Sequence, residues 1–262
     1  MKLGKRLRLG ALACVLAMQL AGGARAADIT VGANVGNVPW EFQDASGAFV
    51  GFEVELVRKI AEGMGKTVEF VNIPFNGLFP AVQSGRVGAA ISSVTITPKR
   101  LESLSFTQPY YDSDQSLAVA ARAGPAGLSA LAGKVVGVDT ASTGDQWTTA
   151  HQAEYRIAEI KRYEGLAPAM LDLQAGRIDG YISDIPAVQY YIRDKPVFRV
   201  ADVIPTGEKY GVMLAKGSPL AAQFDAEITK LKGSGFLAEL HQKWFGAAPA
   251  AGSSTVAVLP MP

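Results

Sequence analysis

Two α/β lobes, each built around a largely parallel sheet, are the architecture that this 262-residue sequence predicts. Three observations point there. Segments with strand character alternate with segments that carry apolar residues on one helical face, as strand–helix–strand units do. A helix–glycine–strand unit recurs with matching residues in the second half of the chain. Past residue 26 there is no cysteine, so stability must come from buried apolar surface, and about 235 residues suffice for one large or two small cores.

The elements follow in order. Residues 29–33 read as a first strand. Over residues 53–64 the apolar positions Leu56, Val57, Ile60, Ala61 and Met64 share a helical face, with Gly63 and Gly65 as stop signals. Residues 67–71 return as a strand, 78–83 form a short helix ending at Gly85, and 89–96 form the next strand. The rhythm resumes with a strand over 134–138, a helix from near Thr143, and a strand over 179–183. A helix over 220–231 and a last one ending at Trp244-Phe245 close the pattern. The recurrent unit pairs Gly77-Leu78-Phe79-Pro80-Ala81, Gly85-Arg86-Val87 and Ile91-Ser92-Ser93 with Gly165-Leu166-Ala167-Pro168-Ala169, Gly176-Arg177-Ile178 and Ile182-Ser183-Asp184. Ser92-Ser93 and Ser183-Asp184 thereby occupy equivalent strand ends. Ligands of open α/β sheets sit off the carboxyl ends of strands, so two facing lobes would place both polar pairs in one cleft. The first lobe is expected over 27–111, a hinge over 112–115, the second lobe over 116–208, and a return to the first over 209–246. The Ala-, Pro-, Gly- and Ser-rich residues 247–262 predict a flexible tail.

The first residues carry an address. Lys2, Lys5, Arg6 and Arg8 precede an apolar run over 9–20 and then Ala24-Arg25-Ala26, an A-x-A cleavage pattern. This is the layout of a secretory signal peptide over 1–26, with an apolar core too short to span a bilayer. No Arg-Arg pair favours a twin-arginine route. The single cysteine, Cys14, lies within the apolar run and follows a poor triplet for lipid attachment, so it reads as an ordinary residue of that run. Removing the leader changes the balance from 25 basic against 24 acidic residues to 20 against 24, a charge near −4. No basic stripe remains for nucleic acid or an anionic membrane surface, and no later apolar stretch reaches spanning length. A soluble, exported monomer is expected.

Three segments could carry chemistry. Thr97 suits a helix N-cap, Pro98 the first helical position, and Arg100 then lies in the first turn. A cation there opposes the helix dipole, which makes sense if an anion binds at the junction; a solvated surface arginine is the alternative. Residues 140–145 follow a strand and open a helix, offering hydroxyls and unpaired N–H groups, or simply an ordinary Ser/Thr cap. Asp184 ends a strand directly before Ile185-Pro186, placed either to receive an ammonium or to cap the next helix. One cation, two helix N-termini and one carboxylate together suit a zwitterion, and the charge count matches an α-amino acid.

The chain resembles the bacterial extracellular amino-acid-binding proteins of ABC importers, solute-binding protein family 3, from about Ile29 to Phe245. Gly51-Phe52-Glu53-Val54-Glu55-Leu56 looks like that family's G-F-[DE]-[VI]-[DE]-[LI] signature. Phe75-Asn76-Gly77-Leu78, residues 91–97 with Arg100, Phe106-Thr107-Gln108-Pro109-Tyr110-Tyr111 and Lys243-Trp244-Phe245-Gly246 match in order and spacing. The resemblance implies the type II periplasmic-binding-protein fold, two α/β lobes joined by a two-stranded hinge, a membrane permease as partner, and no cofactor. It implies that Arg100 clamps the α-carboxylate, helped by Thr95, Ser142 and Thr143. Asp184 with Ser93 would hold the α-ammonium, and Phe75 would lie against the ligand side chain. Asn34, Asn37, Trp40, Ser92, Asp139 and Ser183 would line or border the side-chain pocket. The chain departs from its relatives at Asn34, where many carry aspartate, at Ala141, where glycine is usual, and at the unusual Asp139. The first argues against a basic ligand and the third partly restores one.

His151 and His241 lack metal-like spacing, no Ser-His-Asp or Cys-His pattern supports a nucleophile, and the glycines form no phosphate-binding fingerprint. A periplasmic cyclohexadienyl dehydratase shares the fold, which makes an enzyme the competing reading. Asp139 or Glu164 would have to serve as its acid or base. A sensor module would use the same pocket.

Overall fold

The computed structural model describes residues 26–262, so the leader expected over 1–26 lies outside the described residues but for Ala26. The chain starts with β1 (Ile29–Ala33), a small hairpin of β2 (Phe42–Gln43) and β3 (Phe49–Val50), and α1 (Phe52–Gly63). Next come β4 (Val68–Asn72), α2 (Phe75–Gln83), β5 (Ala89–Ile91), the four-residue α3 (Pro98–Leu101) and β6 (Leu104–Phe106). The long β7 (Tyr111–Ala120) crosses to a second lobe of β8 (Val135–Asp139), α4 (Thr143–His151), β9 (Glu159–Tyr163), α5 (Leu166–Gln174), β10 (Gly180–Asp184) and α6 (Ile185–Ile192). The still longer β11 (Phe198–Tyr210) crosses back, and β12 (Met213–Ala215), α7 (Pro219–Gly233) and α8 (Phe236–Phe245) follow.

The sheets run β4-β1-β5-β12-β6 and β11-β7-β10-β8-β9. Each has a parallel part, β4-β1-β5 in one and β10-β8-β9 in the other, continued by two antiparallel strands: β12 and β6 in the first sheet, and the crossing strands β7 and β11 in the second. The recurrent unit maps onto this symmetry. Helices α2 and α5 each give way to a glycine in the left-handed region, Gly85 (φ 74°) and Gly176 (φ 71°); the next strands follow, β5 leading directly into Ser92-Ser93 and β10 ending in Ser183-Asp184.

The α1 stripe packs as its periodicity predicts: Leu56, Val57 and Ile60 are fully buried and join Phe224, Ile228, Leu237 and Leu240 of α7 and α8 in one cluster. Gly51 of the signature adopts φ 132°, and a Cβ there would lie 2.2 Å from the Trp40 carbonyl oxygen, which explains why glycine precedes Phe52. The register pairs Tyr111 of β7 with Tyr210 of β11, and both rings pack on Trp40, with centroids 4.7 Å and 5.4 Å away. The crossing strands are thus rooted in an aromatic core of the first lobe.

One expectation needs correction. The strand expected over 89–96 stops at Ile91, because Ser93 turns into the left-handed region (φ 45°) and donates its backbone N–H to Glu53 instead of to a neighbouring strand. Residues 247–262, expected as a flexible tail, make contacts with the crossing strands. Ser254 donates its N–H (2.7 Å) and its hydroxyl to Asp112, and Lys209 reaches the Ser254 hydroxyl at 3.0 Å. Lys232 donates to the Ala257 carbonyl (2.8 Å) and Leu259 N–H to Gln108 (3.2 Å), and Ser254 is 1 % exposed. The anchors are hydroxyls and backbone groups, which a composition poor in large apolar residues does not reveal.

Candidate functional site

A cavity of about 110 Å³ lies between the lobes where the strand ends of both sheets converge. The first lobe contributes Asn34, Asn37, Phe75, Ser92, Ser93, Thr95 and Arg100; the second contributes Asp139, Ser142, Thr143, Ser183 and Asp184. All were singled out in the sequence. Trp40 was too, but it does not line the cavity: it is 0 % exposed, held edge-on among Phe52, Tyr111 and Tyr210. Its ring supports the floor of the first lobe. The stretch Glu164–Pro168 at the start of α5 completes the wall, with Glu164 exposed at the rim.

Arg100 is 7 % exposed and is no surface arginine. Thr97 caps α3 by accepting the Arg100 N–H at 3.2 Å, so a conventional helix start aims the side chain inward. The guanidinium donates to the Thr95 carbonyl (2.7 Å) and across the cleft to the Ala141 carbonyl (3.3 Å), and lies 4.9 Å from the Phe79 ring centroid. Among the described residues no carboxylate forms an ion pair with it at contact distance. Burial holds its pKa down to about 10, against the opposing pull of Glu208 and Asp184. A desolvated guanidinium with only carbonyl partners is poised for an anion.

Asp184 faces it from the second lobe. It occupies the N-cap position of α6 without any side-chain cap bond, which removes the simple capping alternative. Its carboxylate instead accepts from Tyr210 Oη (2.6 Å) and from Gln115 Nε2. Burial, and then the nearby Glu208 charge, push its pKa up to about 8, a state that an incoming ammonium would reverse. Ser93 borders the same space, with its hydroxyl accepting from Asn37 Nδ2 at 3.1 Å.

Ser142 caps α4 by accepting the Asp145 N–H at 3.0 Å, and the first-turn N–H groups of that helix have no intrahelical partners. Ala141, just before the cap, sits at φ 64°. A side chain in that region costs roughly 1–2 kcal/mol, and glycine returns part of the gain through chain entropy. Ala141→Gly is therefore expected to raise the melting temperature by about 1–3 °C. A thermal melt followed by circular dichroism checks this, and a lowered midpoint would contradict the strain assignment.

Sequence reasoning missed Glu208, Gln115 and Tyr210. Glu208 Oε2 accepts from Thr95 Oγ1 (2.6 Å) of the first lobe and Thr143 Oγ1 (2.9 Å) of the second, while Gln115 Nε2 donates to Oε1 at 3.0 Å. One carboxylate on a crossing strand therefore ties both lobes. The available signal was polar residues at Ser113, Gln115 and Ser116 within a strand otherwise rich in buried positions. A second omission lies beneath Ser92-Ser93. Glu41 and Glu53 are both wholly buried; Glu41 accepts from Ser92 Oγ (2.7 Å), and Glu53 from Ser93 N–H (2.9 and 3.1 Å) and Tyr110 Oη. No ligand set for a metal occurs among the described residues.

Two α/β lobes joined by two long strands, with a buried cation and a half-buried carboxylate lining one cavity from opposite lobes, define a solute-binding protein. Residues 29–247 match the bacterial extracellular solute-binding proteins, family 3, and the chain belongs to that family. The ABC transporter arginine-binding protein 1 of Escherichia coli is 27 % identical over 240 residues, spanning 89 % of this chain and 97 % of the relative. The histidine-binding periplasmic protein of Salmonella typhimurium is 33 % identical over 197 residues, 74 % of this chain and 75 % of the relative. The crystal structure of the arginine-, lysine-, histidine-binding protein of Geobacillus stearothermophilus superposes with a TM-score of 0.78 at 30 % identity, covering 84 % of this chain and 96 % of that one. Among the described residues no helix is long and apolar enough to cross a membrane.

Proposed function

We propose that the chain captures a free L-amino acid, polar or basic, in the periplasm and delivers it to a membrane ABC permease, without catalysing a reaction. The observation that carries this reading is the pairing of Arg100 and Asp184 on opposite lobes of one buried cavity. Arg100 receives the α-carboxylate, supported by Thr95 and by the start of α4 at Ser142 and Thr143. Asp184 and Ser93 receive the α-ammonium. Phe75 lies along the ligand side chain, and Asn34, Asn37, Ser92, Asp139 and Ser183 surround it. Residues 112–115 and the returning strand near Lys209 act as the hinge about which the lobes close, excluding water and presenting a composite surface to the permease. The relatives support this, being named for amino acids that they bind and, in one case, for an ABC transporter.

A thermal-shift screen of the chain lacking residues 1–26 against the common amino acids tests the proposal. A ligand at 100 times its Kd stabilises the folded state by about 2.7 kcal/mol, a shift of several degrees. At least one polar or basic amino acid is expected to give it. No shift with any of them, or turnover of prephenate or arogenate, would overturn the reading.

A further inference from the structure

The charges lining the cavity do not balance a simple zwitterion. Its walls carry one cation, Arg100, against three carboxylates, Asp139, Glu164 and Asp184. An α-carboxylate on Arg100 and an α-ammonium on Asp184 consume one of each, leaving Asp139 and Glu164 without a counter-charge. Asp139 ends β8, which is paired with β10, so it sits one strand over from the site assigned to the ammonium. Its Oδ2 accepts from Tyr181 Oη at 2.8 Å, while its Oδ1 is buried without a hydrogen-bond partner. Burial, with the Glu164 charge beside it, drives the carboxyl up to about 7 against the lowering effect of hydrogen bonds from Tyr181 and the Gly165 N–H. A buried acceptor left unpaired is costly, and a donor from the ligand removes that cost. On the facing lobe the side-chain pocket offers only the neutral Asn34, Asn37 and Ser92.

Building on the amino-acid-binding reading, we infer that Asp139, assisted by Glu164 at the rim, receives a cationic group on the ligand side chain, and that basic ligands are selected when the second lobe closes. The first lobe holds the α-carboxylate through Arg100 and sees little of the side-chain charge. A neutral side chain can enter there equally well, but closure then traps Asp139 against a group that cannot neutralise it. A basic side chain gains the charge-assisted bond only in the closed form. Selectivity consequently resides in the dissociation rate.

The test compares L-arginine with L-citrulline, which replaces the guanidinium by a neutral urea of nearly the same shape. Calorimetry on the chain lacking residues 1–26 is expected to show arginine binding about 10- to 100-fold more tightly, the range for a charge-assisted bond. Stopped-flow measurements are expected to place most of that ratio in dissociation. In Asp139→Asn, which keeps the shape and an acceptor for Tyr181, the ratio should fall to within about threefold of unity. Citrulline binding as tightly as arginine to the unsubstituted chain would overturn the inference without any variant, and so would a ratio unchanged in Asp139→Asn. A difference carried by the association rates would overturn its closure step. Failure of every amino acid to bind would overturn the amino-acid-binding reading together with this one.

Discussion

Arg100→Ala is expected to weaken amino-acid binding by at least about 100-fold while leaving the unliganded fold close to its original stability. The two halves of this expectation have the same cause. Arg100 is desolvated, and its guanidinium donates to the Thr95 and Ala141 carbonyls, so its removal breaks no ion pair at contact distance among the described residues. Once a carboxylate is enclosed, deleting its partner leaves a buried unpaired charge, which costs about 3–5 kcal/mol. Arg100→Lys should fall between, because an ammonium keeps the charge but loses the planar fork. Calorimetry with the best ligand of the thermal screen, paired with a melt of each free variant, separates binding from folding. Near-normal affinity in Arg100→Ala would remove Arg100 from the carboxylate site.

Glu53→Ala should be the most destabilising single change in the first lobe, at about 3–5 kcal/mol. It would orphan the Ser93 N–H and the Tyr110 hydroxyl, both buried, and open a void beside Glu41. The same pair gives stability a pH dependence. Burial, reinforced by the Glu53 charge, holds Glu41 well above the usual carboxylate range, and burial raises Glu53 as well. The folded chain therefore keeps a proton that the unfolded chain releases. This contribution is complete below the ordinary carboxylate pKa and is lost as pH rises from there through the raised value. Glu41→Gln supplies a permanent neutral donor to Glu53. The variant is expected to melt progressively higher relative to the parent as pH is raised from 5 to 8. Parallel curves across that range would show that Glu41 is not the group holding the proton.

The helix starts and polar strand ends of the candidate site were legible because backbone chemistry announces them, whereas Phe75, Asn34, Asn37 and Asp139 entered through the resemblance alone. Thr97-Pro98 and Ser142 are helix starts at strand ends, and such junctions place side chains and free N–H groups on the ligand side of a sheet. Arg100 and Asp184 could be paired before their distance was known because each was otherwise awkward, a cation at a helix start and a carboxylate with two uses. Trp40, assigned to the line or border of the pocket by resemblance alone, packs into the core beneath it. The deciding contacts come from Phe52, Tyr111 and Tyr210, which local pattern does not connect to it. Glu208 and Gln115 were invisible for a related reason. They lie on strands far apart in sequence, and their meaning arises only when β7 and β11 pair between the lobes. Strand β5 ends early because Glu53, from α1, claims the Ser93 N–H, again a partner that periodicity cannot foresee.

The segment after Ala247 runs past the last residue of the family match and lies along both crossing strands. Met261 shares a surface recess with Gly207 and Lys209 and is 39 % exposed. The sequence contains no cysteine after Cys14, so a thiol introduced at Met261 could be labelled alone in the chain lacking residues 1–26. A dye there would sit beside Gly207 and Lys209 of β11, outside the cavity lined by Arg100 and Asp184, and would report changes at that strand as an optical signal. A bulky fusion at the same end would instead load a segment that Ser254 pins to Asp112 of the other crossing strand.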